Sequence, residues 1–144
     1  MRKILVLLWA INFAFSVYNA SPAVYCGVNQ TITVWSAETP TPGNGTTAAS
    51  QQIQLGNGGI GKSGTPFSVD GKFSGAPGAF EVDVQVASTD TDTSYQTCSN
   101  CNITSVDATN NTFHLDYSGT AKFARLLMRS RTNSVSITAT FTGG

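Results

Sequence analysis

Three observations predict an all-β fold, an antiparallel β-sandwich of about eight strands connected in a jelly-roll-like way. Several segments alternate apolar and polar residues with period two, as half-buried strands do. Charged residues make up only 11% of the chain, which is instead rich in Thr, Ser, Asn and Gly and poor in helix formers. Turn signals recur every ~8 to 14 residues, and no stretch beyond residue 20 carries a helical apolar stripe. At 144 residues the chain is long enough for one domain with a real core. We divide it into a hydrophobic leader over residues 1–23 and a single sandwich domain over 24–144.

The strands are taken in order. "VNQTITVW" places Val28, Ile32 and Val34 on one face. The Pro-, Gly- and Thr-rich run "SAETPTPGNGTTAAS" is loop, and "QQIQL" is a short strand before a glycine-rich loop. In "FSVDGKF" the residues Phe67, Val69 and Phe73 share a parity. After the Gly-Ala-Pro-Gly turn, Phe80, Val82, Val84 and Val86 share the apolar parity. Ser68, Asp70, Lys72, Glu81, Asp83 and Gln85 then fall on a wet face. "STDTDTS" is a polar loop, and "SYQTC" and "NITSVD" read as strands flanking a "CSNC" turn. "FHLDY" turns Phe113, Leu115 and Tyr117 inward. "KFARLLMRS" is apolar on both parities, the mark of a central strand covered on both faces. "VSITATF" closes the domain with Val135, Ile137, Ala139 and Phe141 in register.

The leader "MRKILVLLWAINFAFSVYNASPA" has a basic start, an apolar core from Ile4 to Phe15 and small residues after it. This is signal-peptide architecture, too short to span a bilayer stably. Cleavage after Ser16 or Ala23 fits it, and the alternative is a retained arm inserted into a neighbouring subunit. Asn19, Asn29, Asn44, Asn102 and Asn110 stand in N-x-S/T sequons, which matter only in a eukaryotic secretory host.

Motifs that carry chemistry are few. "GNGGIGKS" at 56–63 satisfies the phosphate-loop pattern, with Lys62 as its lysine. Such a loop must open a helix, and "GTPFSVDGKF" follows with Gly64, Pro66 and a strand pattern, so no nucleotide is expected there. His114, the only histidine, alternates outward as a solvated strand residue. No elbow presents a nucleophilic serine, and Glu81 with Asp83 lacks an apolar pocket to separate their acidities. We therefore expect no enzyme and no cofactor. Cys98 and Cys101 form one C-x-x-C that, with Cys26 and His114, supplies four zinc-type ligands on paper. A disulfide or free thiols are preferred for Cys26, Cys98 and Cys101, and three cysteines leave one unpaired within the chain. Asp90 and Asp92 lack the glycine and distal Glu of a calcium loop and read as surface acids.

Charge is uneven although it sums to zero. Asp70, Glu81, Asp83, Asp90, Asp92, Asp107 and Asp116 lie in a segment whose only base is Lys72. Lys122, Arg125, Arg129 and Arg131 then follow without an acid among them. Those four are either paired with neighbouring acids or form a basic strip for subunit contacts. Nucleic-acid binding is disfavoured, since bases are few and no aromatic platform interleaves them.

Two stretches carry a resemblance. "FSVDGKFSGAPGAFEVDVQVASTDTDTSYQT" and "AKFARLLMRSRTNSVSITAT" resemble small structural proteins of tailed bacteriophages and prophages, and "VNQTITVWSAETPTPGNGT" is similar in style to their N-termini. The resemblance covers about residues 28–142 and centres on "FSGAPGAFEV" and "RSRTNSVSITAT". It implies a non-enzymatic virion protein that decorates or stabilises a capsid, with virion or capsid proteins and further copies of itself as partners. The leader and the "CSNC" segment depart from that group. The alternative is a secreted sandwich module that binds a glycan or a protein, for which Trp35, Tyr95 and Tyr117 are too scattered to form an aromatic strip.

Overall fold

In the computed structural model, residues 23–27, 29–55 and 66–144 are described. The leader, Val28 and the glycine loop with Lys62 lie outside them. Among the described residues nine strands form two sheets: β1 (Val24–Cys26), β2 (Thr31–Glu38), β3 (Ile53–Leu55), β4 (Phe67–Phe73), β5 (Phe80–Ala87), β6 (Gln96–Ile103), β7 (Thr112–Tyr117), β8 (Phe123–Arg131) and β9 (Ile137–Gly143). The sheets run β1-β3-β8-β5-β6 and β2-β9-β4-β7. All pairings are antiparallel except β1 with β3. Short 3-10 turns occur at Thr46–Ala48 and Asp92–Ser94, and no α-helix is present among the described residues.

The pairings are nested: β2 with β9, β3 with β8, β4 with β7, β5 with β6. A long hairpin wound around a barrel-like sandwich pairs its strands in this manner, which is the jelly-roll arrangement. The sequence predicts about eight strands, and the ninth is the short β1 at the sheet margin.

Alternation explains the core. Phe67, Val69 and Phe73 of β4 are buried, as are Ile137, Ala139 and Phe141 of β9. Gly71 lies between Phe113 of β7 and Ala139 of β9, and a β-carbon on it would overlap the Phe113 ring. The absent side chain leaves room for the aromatic one. Phe73 meets Phe80 of the other sheet with ring centroids 4.9 Å apart, a T-shaped contact that ties the layers. From the second sheet Val82, Val84, Ala124, Leu126 and Met128 complete the core. Each buried Val, Leu or Phe contributes about 1.5–3 kcal/mol.

Four sequence expectations are corrected. Trp35, whose parity opposes that of Ile32 and Val34, is 1% exposed. A register shift between Thr33 and Trp35 lets both Val34 and Trp35 face inward. The "CSNC" turn does not separate two strands: it bulges within β6, with the Cys98 and Cys101 Cα atoms 5.1 Å apart, and the ladder with β5 shifts register there. Asp83 and Gln85 do not face water: they are 3% and 5% exposed. Of the two readings for Arg125, the outward basic strip fails, since the residue is buried, at 5%, and pairs with Asp92.

Candidate functional site

The outer face of the five-stranded sheet accounts for the buried charges. β8 is its middle strand, with Arg125 opposite Gln85 and Leu127 opposite Asp83. Paired antiparallel residues share a face, so these project away from the core that Leu126 and Val84 enter. Two segments cover them. The 40–50 stretch runs beside β8, where Gly43 and Ser50 donate backbone N–H bonds to Met128 and Leu126 at 3.0 and 2.8 Å. Residues 88–95, which contain the second 3-10 turn, bring Asp92 and Tyr95 to Arg125.

Arg125 donates from Nε to Gln85 at 2.9 Å and from Nη1 to Asp92 at 2.8 Å. Its guanidinium carbon lies 4.2 Å from the centroid of the Tyr95 ring, a cation–π contact. Tyr95 donates its hydroxyl to Asp90 at 2.8 Å. Burial raises the Tyr95 pKa, and the bond to Asp90 raises it further. Asp92 thus ties this loop to the sheet and Asp90 braces it from within, rather than the two converging on a cation.

Asp83 is the second node. Its Oδ2 accepts from Arg129 Nε at 2.5 Å and Thr97 at 2.8 Å, and its Oδ1 accepts from Asn102 at 2.7 Å. Asn102 also donates to Glu81 at 2.8 Å, and Arg129 reaches Asn44. Burial pushes the Asp83 pKa up, but the bonds from Arg129, Asn102 and Thr97 and the Arg129 charge outweigh it and leave the carboxyl below its usual value. Arg131 donates to the Val135 carbonyl at 3.1 Å, and Lys122 is exposed. The proposed strip of Lys122, Arg125, Arg129 and Arg131 is therefore not a free surface. Two of its arginines hold internal ion pairs.

The outer face of the four-stranded sheet is open to solvent. Its rows read Thr31, Thr142, Ser68, Asp116 and then Thr33, Thr140, Asp70, His114 across β2, β9, β4 and β7. His114 is exposed, as expected, but it is not alone. Nδ1 lies 2.7 Å from Asp70 and Nε2 lies 3.1 Å from Asp116. The hydrogen bonds to Asp70 and then Asp116 raise the imidazole pKa above its usual value. Both ring nitrogens face carboxylates on opposite sides, so the ring acts as a charge partner and the trio does not converge on one metal position. Beside this row a cleft of about 420 Å³ runs along β7, lined in part by Ile103, Val106, Asp107, Phe113 and Leu115.

Cys98 and Cys101 are joined by a disulfide within β6. Cys26 is free and buried at the opposite margin of the same sheet, its Sγ 3.2 Å from the Gln30 carbonyl. Burial pushes its thiol pKa up, which leaves little thiolate for nucleophilic work. The zinc set drawn from Cys26, Cys98, Cys101 and His114 is not brought together, and no group of three ligands suited to a metal occurs among the described residues. No helix among them is long and apolar enough to cross a membrane. Sequence reasoning missed the Arg125–Tyr95–Asp92–Gln85 cluster; its one signal was the run "KFARLLMRS", which predicts cover on both faces. Compared with models of known families, with curated proteins and with solved structures, the chain matches none.

Proposed function

We propose that this chain is a non-enzymatic structural protein of a tailed-phage virion, decorating or stabilising the capsid through subunit contacts. The observation that carries the proposal is where the phage-like stretches lie. They supply β4, β5, β8 and most of β9, four of the five inner strands of the two sheets. The resemblance thus falls on the framework of the sandwich. Jelly rolls build both capsid and lectin domains, so the fold alone does not choose between them. The polar groups support a contact role, because they join one another in ladders that stiffen the sheet faces. Mass spectrometry of gradient-purified particles from the phage that encodes the chain tests this. Stoichiometric presence in the particle is expected, and absence from particles overturns it.

The Cys98–Cys101 disulfide favours a second function, a secreted sandwich module, because such bonds persist in oxidising compartments. Its partner would be a protein rather than a glycan. Trp35 is in the core, Tyr95 lies under Arg125, and Tyr117 packs on Phe67 at 4.8 Å, so none of the three forms a stacking platform. Recovery of the chain from the medium of a particle-free culture supports this second function.

A further inference from the structure

Sheet edges invite pairing with another chain, and folded proteins blunt them with short strands, bulges and local kinks. Three of the four edges here are blunted. β1 is three residues long. β2 carries two register shifts and a left-handed Ala37 at φ 54°. β6 has a register shift, a left-handed Asn100 at φ 61° and the Cys98–Cys101 staple.

β7 has none of these devices. It pairs with β4 without a break from Thr112 opposite Lys72 to Tyr117 opposite Phe67. Backbone groups of successive strand residues point alternately to the two sides. The Thr112 carbonyl accepts from Asp107 N–H at 2.7 Å, on the side away from β4. His114 and Asp116 therefore also direct their N–H and C=O groups outward, and no described residue bonds them there.

We propose that β7 is a self-pairing edge: two copies join their β7 strands antiparallel about a two-fold axis at Leu115, merging two four-stranded sheets into one. Charge selects the register. With Leu115 opposite Leu115, each His114 stands directly opposite Asp116 of the second copy, and all their outward backbone groups pair. Shifting the axis to Asp116 sets carboxylate against carboxylate, and shifting it to His114 sets imidazole against imidazole. Asp107 already occupies the Thr112 position, so the seam begins at Phe113. On the inner side, the half-buried Leu115 and Tyr117 of the second copy would cover the cleft along β7. The inference goes beyond the proposed function and does not rest on it, since a secreted module could pair through the same edge.

The seam is sensitive to pH. The charged groups facing His114 are Asp70 on β4 and Asp116 on its own strand, with Lys72 on β4 and Asp107 before β7 one row away. Protonated imidazole balances the carboxylates of both copies; neutral imidazole leaves Asp70 and Asp116 of each copy to repel. Dimers should be favoured below the raised His114 pKa and weaken as pH climbs through it.

Sedimentation equilibrium of the purified chain at about pH 5.5 and about pH 8.5 tests the proposal, with hydrogen exchange locating the contact. Expected is a dimer at the lower pH, an affinity weaker by about tenfold or more at the higher, and dimer-dependent protection of the His114 and Asp116 amides. Asp116→Pro removes an outward N–H that β4 does not use, and should give a monomer at both pH values with an unchanged circular dichroism spectrum. Should that variant not fold, Asp116→Lys, at a side chain 79% exposed, sets a cation against His114 of the second copy and should also give monomer. A wild-type chain monomeric at millimolar concentration overturns the proposal, as does a dimer indifferent to both variants.

Discussion

Asp83→Asn isolates the charge at the centre of the outer network. The replacement keeps the volume of a side chain that is 5% exposed and receives three donors, from Arg129, Thr97 and Asn102. An amide cannot accept from all three. Its oxygen can face Arg129 and Thr97, but its NH₂ then confronts the Asn102 NH₂, and Asn102 must turn and give up Glu81. The charge-assisted bond from Arg129 becomes a neutral-acceptor one, a loss of about 1 kcal/mol. Breaking a fully buried ion pair costs about 3–5 kcal/mol, but Arg129 is 32% exposed and recovers part of its hydration. The sum is about 2 kcal/mol at pH 7, or roughly 6–10 °C in melting temperature. Urea unfolding followed by circular dichroism measures it. Because the folded Asp83 pKa is lowered, its contribution is complete above the ordinary carboxylate value and disappears as pH falls through the folded value. The variant should therefore lose part of the wild-type slope on the acid side. Equal stability at neutral pH, together with an unaltered acid slope, would show that the network contributes nothing and that Asp83 behaves as the wet-face residue its parity suggests.

Val84→Asp places an unpaired carboxylate in the core beside Leu126 and should cost 3 kcal/mol or more, on the order of a lost fold at physiological temperature; soluble yield and denaturant midpoint report it. Gly71→Ala forces the Phe113 ring aside and should lower stability by about 1–3 kcal/mol, a loss that Phe113→Leu in the same chain should partly restore. Arg125→Lys keeps the charge but loses the planar fork that reaches Gln85 and Asp92 while lying over Tyr95, and should cost about 1–2 kcal/mol in thermal unfolding.

The sequence was most legible where one face of a strand is wet. In β4, β7 and β9 the polar parity of Ser68, Asp70, Thr112, His114, Thr138 and Thr140 meets solvent in part or whole, and the apolar parity of Val69, Phe113 and Ala139 meets the core. The inward register of those strands could be read directly. Alternation reports the polarity of a face but not what covers it. Asp83, Gln85 and Arg125 look solvated because they are polar, whereas the 40–50 stretch, distant in sequence, and the 88–95 segment that follows β5 fold over this face. Trp35 was hidden differently: a register shift changes parity in mid-strand, and no local residue pattern announces it. The His114 row was half visible. Its exposure follows from parity, but its carboxylates depend on the β4–β7 register, which sets Asp70 against His114 across 44 residues of chain.

The nested strand pairing governs when the molecule can take shape. Thr31 and Thr142 share a hydroxyl bond at 2.9 Å although 111 residues separate them. β9 occupies the middle of its sheet, between β2 and β4, so a growing polypeptide that has reached β8 still lacks the strand that joins those two. Closing pairs across such long intervals sacrifices chain entropy before many contacts form, which makes assembly of the fold slow. Until β9 is synthesised, β2 has no neighbour in its sheet and the aromatic side chains of β4 lie next to an unfilled position. During that interval the unpaired strands are exposed to irregular pairing with neighbouring chains.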